Sequence, residues 1–429
     1  MDFKLKPAMR LFWSLTKPGT KLWMRLVMKP IIVDRLPKDL KPPYLLISNH
    51  ITSYDGLIVT LYARELPVVV FDDVQRMEAY KRLIFTNSGV IFKPHGLPDP
   101  KVIRGMIKAR DAGRSVLLYP EGEISWTGDS KPLQMNFARL VKLLGIPVVR
   151  AKFKGGYAKQ PNWATTIRSG RCMVEYDLIL TEEQISSMDD ESLLKLLQRE
   201  QGHSEIDWLR SPEGGRFNYE SPQPAKGLEL LLWCCPSCHG INCMHSSSHS
   251  ISCQECGYSA SVDARLNLRA SDGTDLVFDD MRAWYDWQKG YWAKLILDRA
   301  AQGGTILKAE CDVVKVAPHE GSRFDPIGTG PALLSKDGID YMGTDGRPKR
   351  LRMDEILVCH SIKFSANTDY RLMVRTKDSF YVFFLTEPNL PVLAWDLAIR
   401  HLLAPRPREG PEKGRMPGVK DGMPEYTNE

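Results

Sequence analysis

The residues best placed to do chemistry are Asn49, His50 and Asp55, which follow directly on the apolar run Tyr44-Leu45-Leu46-Ile47-Ser48. Such a run reads as a buried strand, so the histidine and the aspartate fall at its carboxyl end. His50 and Asp55 do not share one face of an ideal helix, so they can meet only across a turn. Ser53 as an N-cap, with Asp55 in the first helical turn, would supply that turn. A carboxylate bonded to one ring nitrogen fixes the tautomer and leaves the other nitrogen free to take a proton from a hydroxyl. That is base catalysis without a protein nucleophile. Alone the spacing is a weak signal, because a histidine at a strand end is more often structural.

The second constellation is a set of cysteines. Cys235-Pro236-Ser237-Cys238 and Cys253-Gln254-Glu255-Cys256 form two C-x-x-C knuckles, the ligand number and spacing of a tetrahedral four-cysteine zinc site. Four protein ligands leave no open position, so the metal is expected to be structural. Cys234, Cys243, His245 and His249 flank the knuckles and are expected to be bystanders. The loop between the knuckles holds no Lys or Arg, which makes it a poor reader of phosphates, and nucleic acid is not expected as a partner.

These groups must be carried by a scaffold. From Tyr44 to Thr181, apolar runs at 44–48, 67–71, 89–92, 115–119, 147–153 and 172–180 alternate with amphipathic stretches at 55–64, 101–112 and 136–144. That alternation predicts an α/β fold, with ligands at the strand carboxyl ends. A further helix is expected over 182–199 and an aromatic one over 279–296. Short strands with glycine turns, including a hairpin about Lys377-Asp378-Ser379, run to Leu385, and a helix over 391–402 closes them. Ahead of the sheet, Lys4, Lys6, Arg10, Lys17, Lys21, Arg25 and Lys29 intersperse with Phe3, Leu11, Phe12, Trp13, Leu15, Leu22, Trp23 and Leu26. Pro7, Pro18 and Pro30 are expected to cut this into two short amphipathic helices, suited either to an anionic headgroup layer or to packing on the domain behind.

The second strand signal, Ser115 to Tyr119, ends in Pro120-Glu121-Gly122-Glu123-Ile124-Ser125, and here the chain resembles the glycerolipid acyltransferases that include 1-acylglycerol-3-phosphate acyltransferases. Their first block, Asn-His, four residues and Asp, is matched by Asn49, His50 and Asp55. The second is matched in part by Gly89-Val90-Ile91-Phe92-Lys93-Pro94-His95, the third by Tyr119 to Ser125, and the fourth by Gly145-Ile146-Pro147-Val148-Val149. The resemblance implies an α/β acyltransferase domain, an acyl-CoA or acyl carrier protein thioester as donor and a lysophospholipid-like acceptor. It further implies His50 as general base, Asp55 as its orienting partner, and Glu121 and Gly122 in the acceptor and oxyanion region. Asn49, Lys93, His95 and Lys152 complete the expected substrate-binding set. A ribbon and a Trp-rich helix after such a domain also resemble a longer bacterial subgroup of that family.

One departure bears on the acceptor. The family's third-block Arg, implied to hold the acceptor phosphate, is Ile124 here, which removes a charge-assisted contact worth about 1.5–3 kcal/mol. Lys93, Lys152 or Lys154 can compensate as point charges. A non-phosphate acceptor, or a non-catalytic lipid-binding or scaffold protein on an acyltransferase fold, are the alternatives.

The expected organisation is an amphipathic membrane-associating segment (1–35), the acyltransferase domain (36–230), a four-cysteine zinc ribbon (231–262), a β-rich domain resembling a pleckstrin-homology barrel (263–402) and a disordered tail (403–429). The net charge of +6 on 429 residues is too mild for duplex binding. No apolar stretch long enough to span a bilayer and no secretory signal are read, so the expected place is cytoplasmic, peripheral on the inner face of the cell membrane.

Overall fold

The computed structural model describes residues 3, 7–73, 89–94, 99–271, 275–316, 324–363, 369–377, 379–387 and 390–403. Among the described residues there are three sheets. The first is α/β, with seven strands: β1 (Ile31–Asp34), β2 (Leu45–Ser48), β3 (Val68–Asp72), β4 (Ile91–Lys93), β5 (Val116–Leu118), β6 (Val148–Lys154) and β7 (Met173–Leu180). Their order is β1-β7-β6-β2-β5-β3-β4, and every neighbouring pair is parallel except β6 with β7. β2 is central and buried at every residue, as a strand covered on both faces must be. One apolar layer, with Leu45, Ile47, Val68, Val116 and Val148, packs against α3 (Pro100–Asp111), α4 (Met135–Leu144) and α7 (Asp190–Gln201). The other face carries α2 (Asp55–Tyr62) and merges with the rest of the molecule.

Two expectations about helices are corrected. The segment ahead of the sheet is a single helix, α1 (Pro7–Val27), that runs through Pro18. Proline removes one backbone bond, but Trp13 on one side of it and Met24 and Met28 on the other pack against the same core, which holds both halves in line. β1, which gave no periodic signal, lies in the stretch expected to associate with membrane and pairs with β7. Beyond the short α5 (Gly156–Lys159), the helix expected over 182–199 is two, α6 (Glu182–Ser187) and α7, because Asp189 starts a new turn by accepting from the Ser192 amide, and α8 (Glu205–Arg210) follows.

The cysteine segment forms a small antiparallel sheet of β8 (Met244–Ser246), β9 (Ser250–Cys253), β10 (Ser259–Val262) and β11 (Leu268–Ala270). Behind it runs α9 (Met281–Gln302). Its Gln288 side chain accepts from the Trp233 and Cys234 amides at 2.7 and 2.8 Å and donates to the Leu231 carbonyl. Trp284 Nε1 donates to Cys234 O, and Trp292 Nε1 donates to Ala394 O in α10 (Val392–Leu403).

The third sheet is entirely antiparallel. Its order is β15-β14-β13-β12-β18-β17-β16, built from β12 (Leu307–Val316), β13 (Phe324–Ser335), β14 (Gly338–Gly343), β15 (Pro348–Arg352), β16 (Val358–Lys363), β17 (Tyr370–Arg375) and β18 (Phe380–Glu387). The expected hairpin is the β17–β18 pair. A single apolar cluster reaches from Leu46 and Val149 in the first sheet through Trp233 and Trp284 to Trp395 in α10. Among the described residues, no helix is long and apolar enough to cross a membrane.

Candidate functional site

Because β2, β5, β3 and β4 are parallel, their carboxyl ends lie along one edge. Ile47 pairs with Leu118, so the residues that leave β2 (Asn49, His50) and those that leave β5 (Tyr119 to Ser125) emerge side by side. β6 flanks β2 on the other side, and Asn49 joins the two. Its Nδ2 donates to Phe153 O and its Oδ1 accepts from Phe153 N, both at 2.8 Å. Asn49 therefore fixes the backbone from which His50 projects.

His50 Nδ1 lies 2.8 Å from Asp55 Oδ2. The same oxygen accepts from the Ile51 and Thr52 amides at 2.9 and 3.2 Å. With two amide donors aimed at it, Oδ2 acts as an acceptor, so Nδ1 carries a proton and, in the neutral ring, the lone pair is on Nε2. Asp55 is fully buried, while the His50 side chain keeps 23% of its surface exposed. The carboxylate is thus dry, while the histidine side chain is partly open to solvent. The turn between them differs from the expected one. Ser53 is not the N-cap; Tyr54 occupies that position and makes no side-chain cap bond. Asp55 itself folds the turn by taking the amides before it.

The β5 side closes around this pair. The Tyr119 ring packs on the His50 ring with centroids 4.5 Å apart. Ser125 N donates to His50 O at 2.8 Å, tying the end of the Pro120–Ser125 turn to the backbone of His50. Gly122 sits at φ +79°, a conformation that favours glycine, and a Cβ there would approach Lys93 Nζ at 3.8 Å. Its amide donates to Tyr119 O at 3.1 Å, so in this conformation that N–H is engaged within the turn. Burial raises the carboxyl pKa of Glu121, against a partial offset from the Lys131 amide and the nearby His50. Its Oε1 is buried with no hydrogen-bond partner among the described residues, and Oε2 accepts from the Lys131 amide at 3.3 Å.

Lys93, at the end of β4, stands beside Gly122. Burial lowers its ammonium pKa, while Glu123 and Asp73 oppose the shift. Lys152 lies on β6 and donates to Gly202 O at 2.9 Å; burial and the neighbouring Arg150 and Lys154 bring it down to about 8. His95 lies outside the described residues. The structure thus brings together His50, Asp55, Asn49, Glu121, Gly122 and Lys93, and engages Lys152 with the Gly202 carbonyl.

Sequence reasoning missed several members of this edge. Asn162 donates to Ser125 O at 3.1 Å, and its own carbonyl accepts from Tyr370 Oη and Lys363 Nζ of the third sheet at 2.6 and 3.2 Å. Glu123 is flanked by Lys131, Arg400 and His360. Burial alone would raise its pKa, but hydrogen bonding to His360 and the charges of Lys131 and Arg400 hold it well below the usual carboxylate range. No local pattern marks these residues, since their partners are distant in sequence.

The four knuckle cysteines also converge. The Sγ atoms of Cys235, Cys238, Cys253 and Cys256 all lie within 4.8 Å of one another, with Cys235–Cys256 at 3.6 Å and Cys238–Cys253 at 3.7 Å. A zinc–sulfur bond of about 2.3 Å in a tetrahedron requires sulfur–sulfur edges of about 3.8 Å, so the cluster has the dimensions of a metal site. Cys243 and Glu255 form an overlapping set with Cys238. Led by the Tyr258 amide, its surroundings bring the Cys256 thiol down to about 7.

Residues 31–153 match the family model described as Acyltransferase. Among solved structures, the 1-acyl-sn-glycerophosphate (LPA) acyltransferase PlsC from Thermotoga maritima is 16% identical, with a TM-score of 0.39 over 45% of this chain and 78% of its own. The C-terminal domain of an unknown protein from Leishmania infantum is 18% identical, with a TM-score of 0.18 over 27% of this chain and 98% of that one. The Vps36 N-terminal PH domain is 15% identical, with a TM-score of 0.19 over 24% of this chain and 80% of its own.

Proposed function

We propose that the chain transfers a fatty acyl group from an acyl-CoA or acyl carrier protein thioester to a hydroxyl of a lysophospholipid-like acceptor, with His50 as general base and Asp55 as its orienting partner. The observation that carries this reading is the 2.8 Å contact between His50 Nδ1 and a buried carboxylate oxygen already held by two amides. Nε2 takes the acceptor's proton as its oxygen attacks the thioester carbonyl. Collapse of the tetrahedral intermediate expels the thiolate, which recovers the proton from the imidazolium, so the protein ends unchanged. Lys93, beside Gly122, is the cation placed to meet an acceptor phosphate in place of the Arg replaced by Ile124.

The four cysteine thiolates hold one zinc, whose role is to fold the ribbon. α1 carries the chain to an anionic membrane surface. Leu11, Leu15, Leu22 and Leu26 are exposed and project within about 60° of one another at 100° per residue, while Trp23 lies edge-on to Tyr54, next to Asp55.

Purified protein with radiolabelled acyl-CoA and a panel of lysolipids, phosphate-bearing and not, tests the reaction and identifies the acceptor. His50→Ala is expected to lower turnover roughly 100-fold or more with little change in thermal stability. A wild-type protein that binds lysolipid but transfers no acyl group from either donor would leave the scaffold reading in its place.

A further inference from the structure

We propose that Arg400 of α10 is a positioning residue for the Pro120–Ser125 turn, so that the acyltransferase site is completed by the C-terminal sheet and its closing helix. The inference rests on the reading of His50 and this turn as the reacting centre.

The turn has a weak point of its own. Gly122, at φ +79°, lacks the side chain that would restrain its backbone, and Glu123 follows it directly. Glu123 is gripped from outside: Arg400 Nη1 donates to its Oε1 at 3.2 Å and Nη2 to its Oε2 at 3.1 Å, a two-pronged contact that fixes orientation as well as distance. Arg400 is itself held. Its Nε donates to Asp396 Oδ1 at 2.7 Å, and Nη2 lies 2.9 Å from Asp396 Oδ2 and 2.8 Å from His360 Nδ1. Asp396 Oδ2 also accepts from Ser361 N, which anchors α10 to β16.

A second, separate connection reaches the far end of the same turn. Tyr370 Oη donates to Asn162 O, Asn162 Nδ2 donates to Ser125 O, and Ser125 N donates to His50 O. The Tyr370 ring also packs on Trp126, with centroids 4.7 Å apart. A third contact, Arg375 with Asp73 at 2.8 and 2.9 Å, secures the end of β3 next to the strand that carries Lys93. The C-terminal sheet and its closing helix therefore grip the carboxyl edge of the first sheet at three places.

The same geometry decides against Arg400 as a ligand of the acceptor phosphate. Its two bidentate edges are already taken, Nε with Nη2 by Asp396 and Nη1 with Nη2 by Glu123, so an anion held by two prongs would have to displace Glu123 and release the turn. Arg400 acts on the reaction through Glu123.

The test uses full-length Arg400→Gln, Arg400→Lys, Glu123→Gln and the double variant Arg400→Gln/Glu123→Gln. Two readouts are taken: amide hydrogen exchange over residues 119–128, and steady-state kinetics with a long-chain acyl-CoA and the lysophospholipid used by the wild type. In Arg400→Gln, exchange over 119–128 should rise and kcat should fall roughly tenfold with KM for acyl-CoA within about twofold, and Arg400→Lys should recover part of the loss. The double variant should be no worse than the worse single one, because both remove the same contact. Wild-type exchange and kcat in a folded Arg400→Gln protein would overturn the proposal, as would additive losses in the double variant. Should Arg400→Gln fail to fold, Glu123→Gln must show the same rise in exchange, and unchanged exchange there also overturns it. If the wild type turns over no acceptor, the catalytic reading fails, and the exchange arm still decides whether Arg400 holds the turn.

Discussion

Replacing Asp55 by Asn separates two roles that a catalytic carboxylate can play. Asp55 Oδ2 receives three donors, His50 Nδ1–H and the Ile51 and Thr52 amides, while Oδ1 is buried with no partner among the described residues. An asparagine must choose which end takes the Oδ2 place. Its NH2 there would face two backbone N–H groups and lose two acceptor bonds, so the amide oxygen takes the place and the His50 tautomer is preserved. What disappears is the negative charge opposite the imidazolium that forms as the acceptor is deprotonated. Exchanging a charge-assisted bond for a neutral one costs about 1–2 kcal/mol, or about 5- to 30-fold in kcat. The NH2 left in the former Oδ1 place is buried without an acceptor and lowers stability by about 1–3 kcal/mol. Steady-state kinetics and denaturant unfolding of Asp55→Asn measure the two effects separately. A loss as deep as that of His50→Ala would mean that the tautomer has flipped, and the two amides do not fix the side chain. Unchanged kcat would mean that the carboxylate has no part in orienting or stabilising His50.

On α1, Leu15→Ser with Leu22→Ser should weaken binding to anionic vesicles by roughly tenfold or more, and added salt should weaken wild-type binding, because apolar burial and screened cations both contribute. Vesicle sedimentation equal to wild type would place the anchor on another surface. Met24→Ala, by contrast, removes a fully buried side chain and should cost about 2–5 kcal/mol in unfolding experiments. The ribbon should hold one equivalent of zinc, which Cys235→Ser or Cys253→Ser abolishes and which is lost at acid pH as the four thiolates are reprotonated. Metal analysis after anaerobic, chelator-free purification that finds less than about half an equivalent would count against the site.

Strands β2 to β7, the His50–Asp55 pair and the four cysteines are legible because each is signalled locally, by an apolar run, by a motif at fixed spacing or by paired knuckles. At the Asp55 turn, capping propensity points to Ser53 and cannot reveal that the Asp55 carboxylate itself takes the backbone amides. α1 was read as broken at Pro18 because the rule for proline is local, whereas Met24 and Met28 hold the helix through tertiary packing. β1 is four residues between prolines and acquires its identity only from β7. Glu123 and Arg400 are 277 positions apart, and no periodicity links a charge in a turn to one on a remote helix.

That separation has a kinetic side. The contacts Tyr370–Asn162, Arg400–Glu123 and Arg375–Asp73 span 208, 277 and 302 positions. Contacts of such reach are formed late in folding, once the entropy of closing long loops has been met by local structure. Closing one brings the other two within range, since each doubling of loop length adds only about 0.6 kcal/mol and the three share a single closure. The first sheet is paired within residues 31–180, whereas the contact of Arg400 with the Pro120–Ser125 turn waits on this long-range closure.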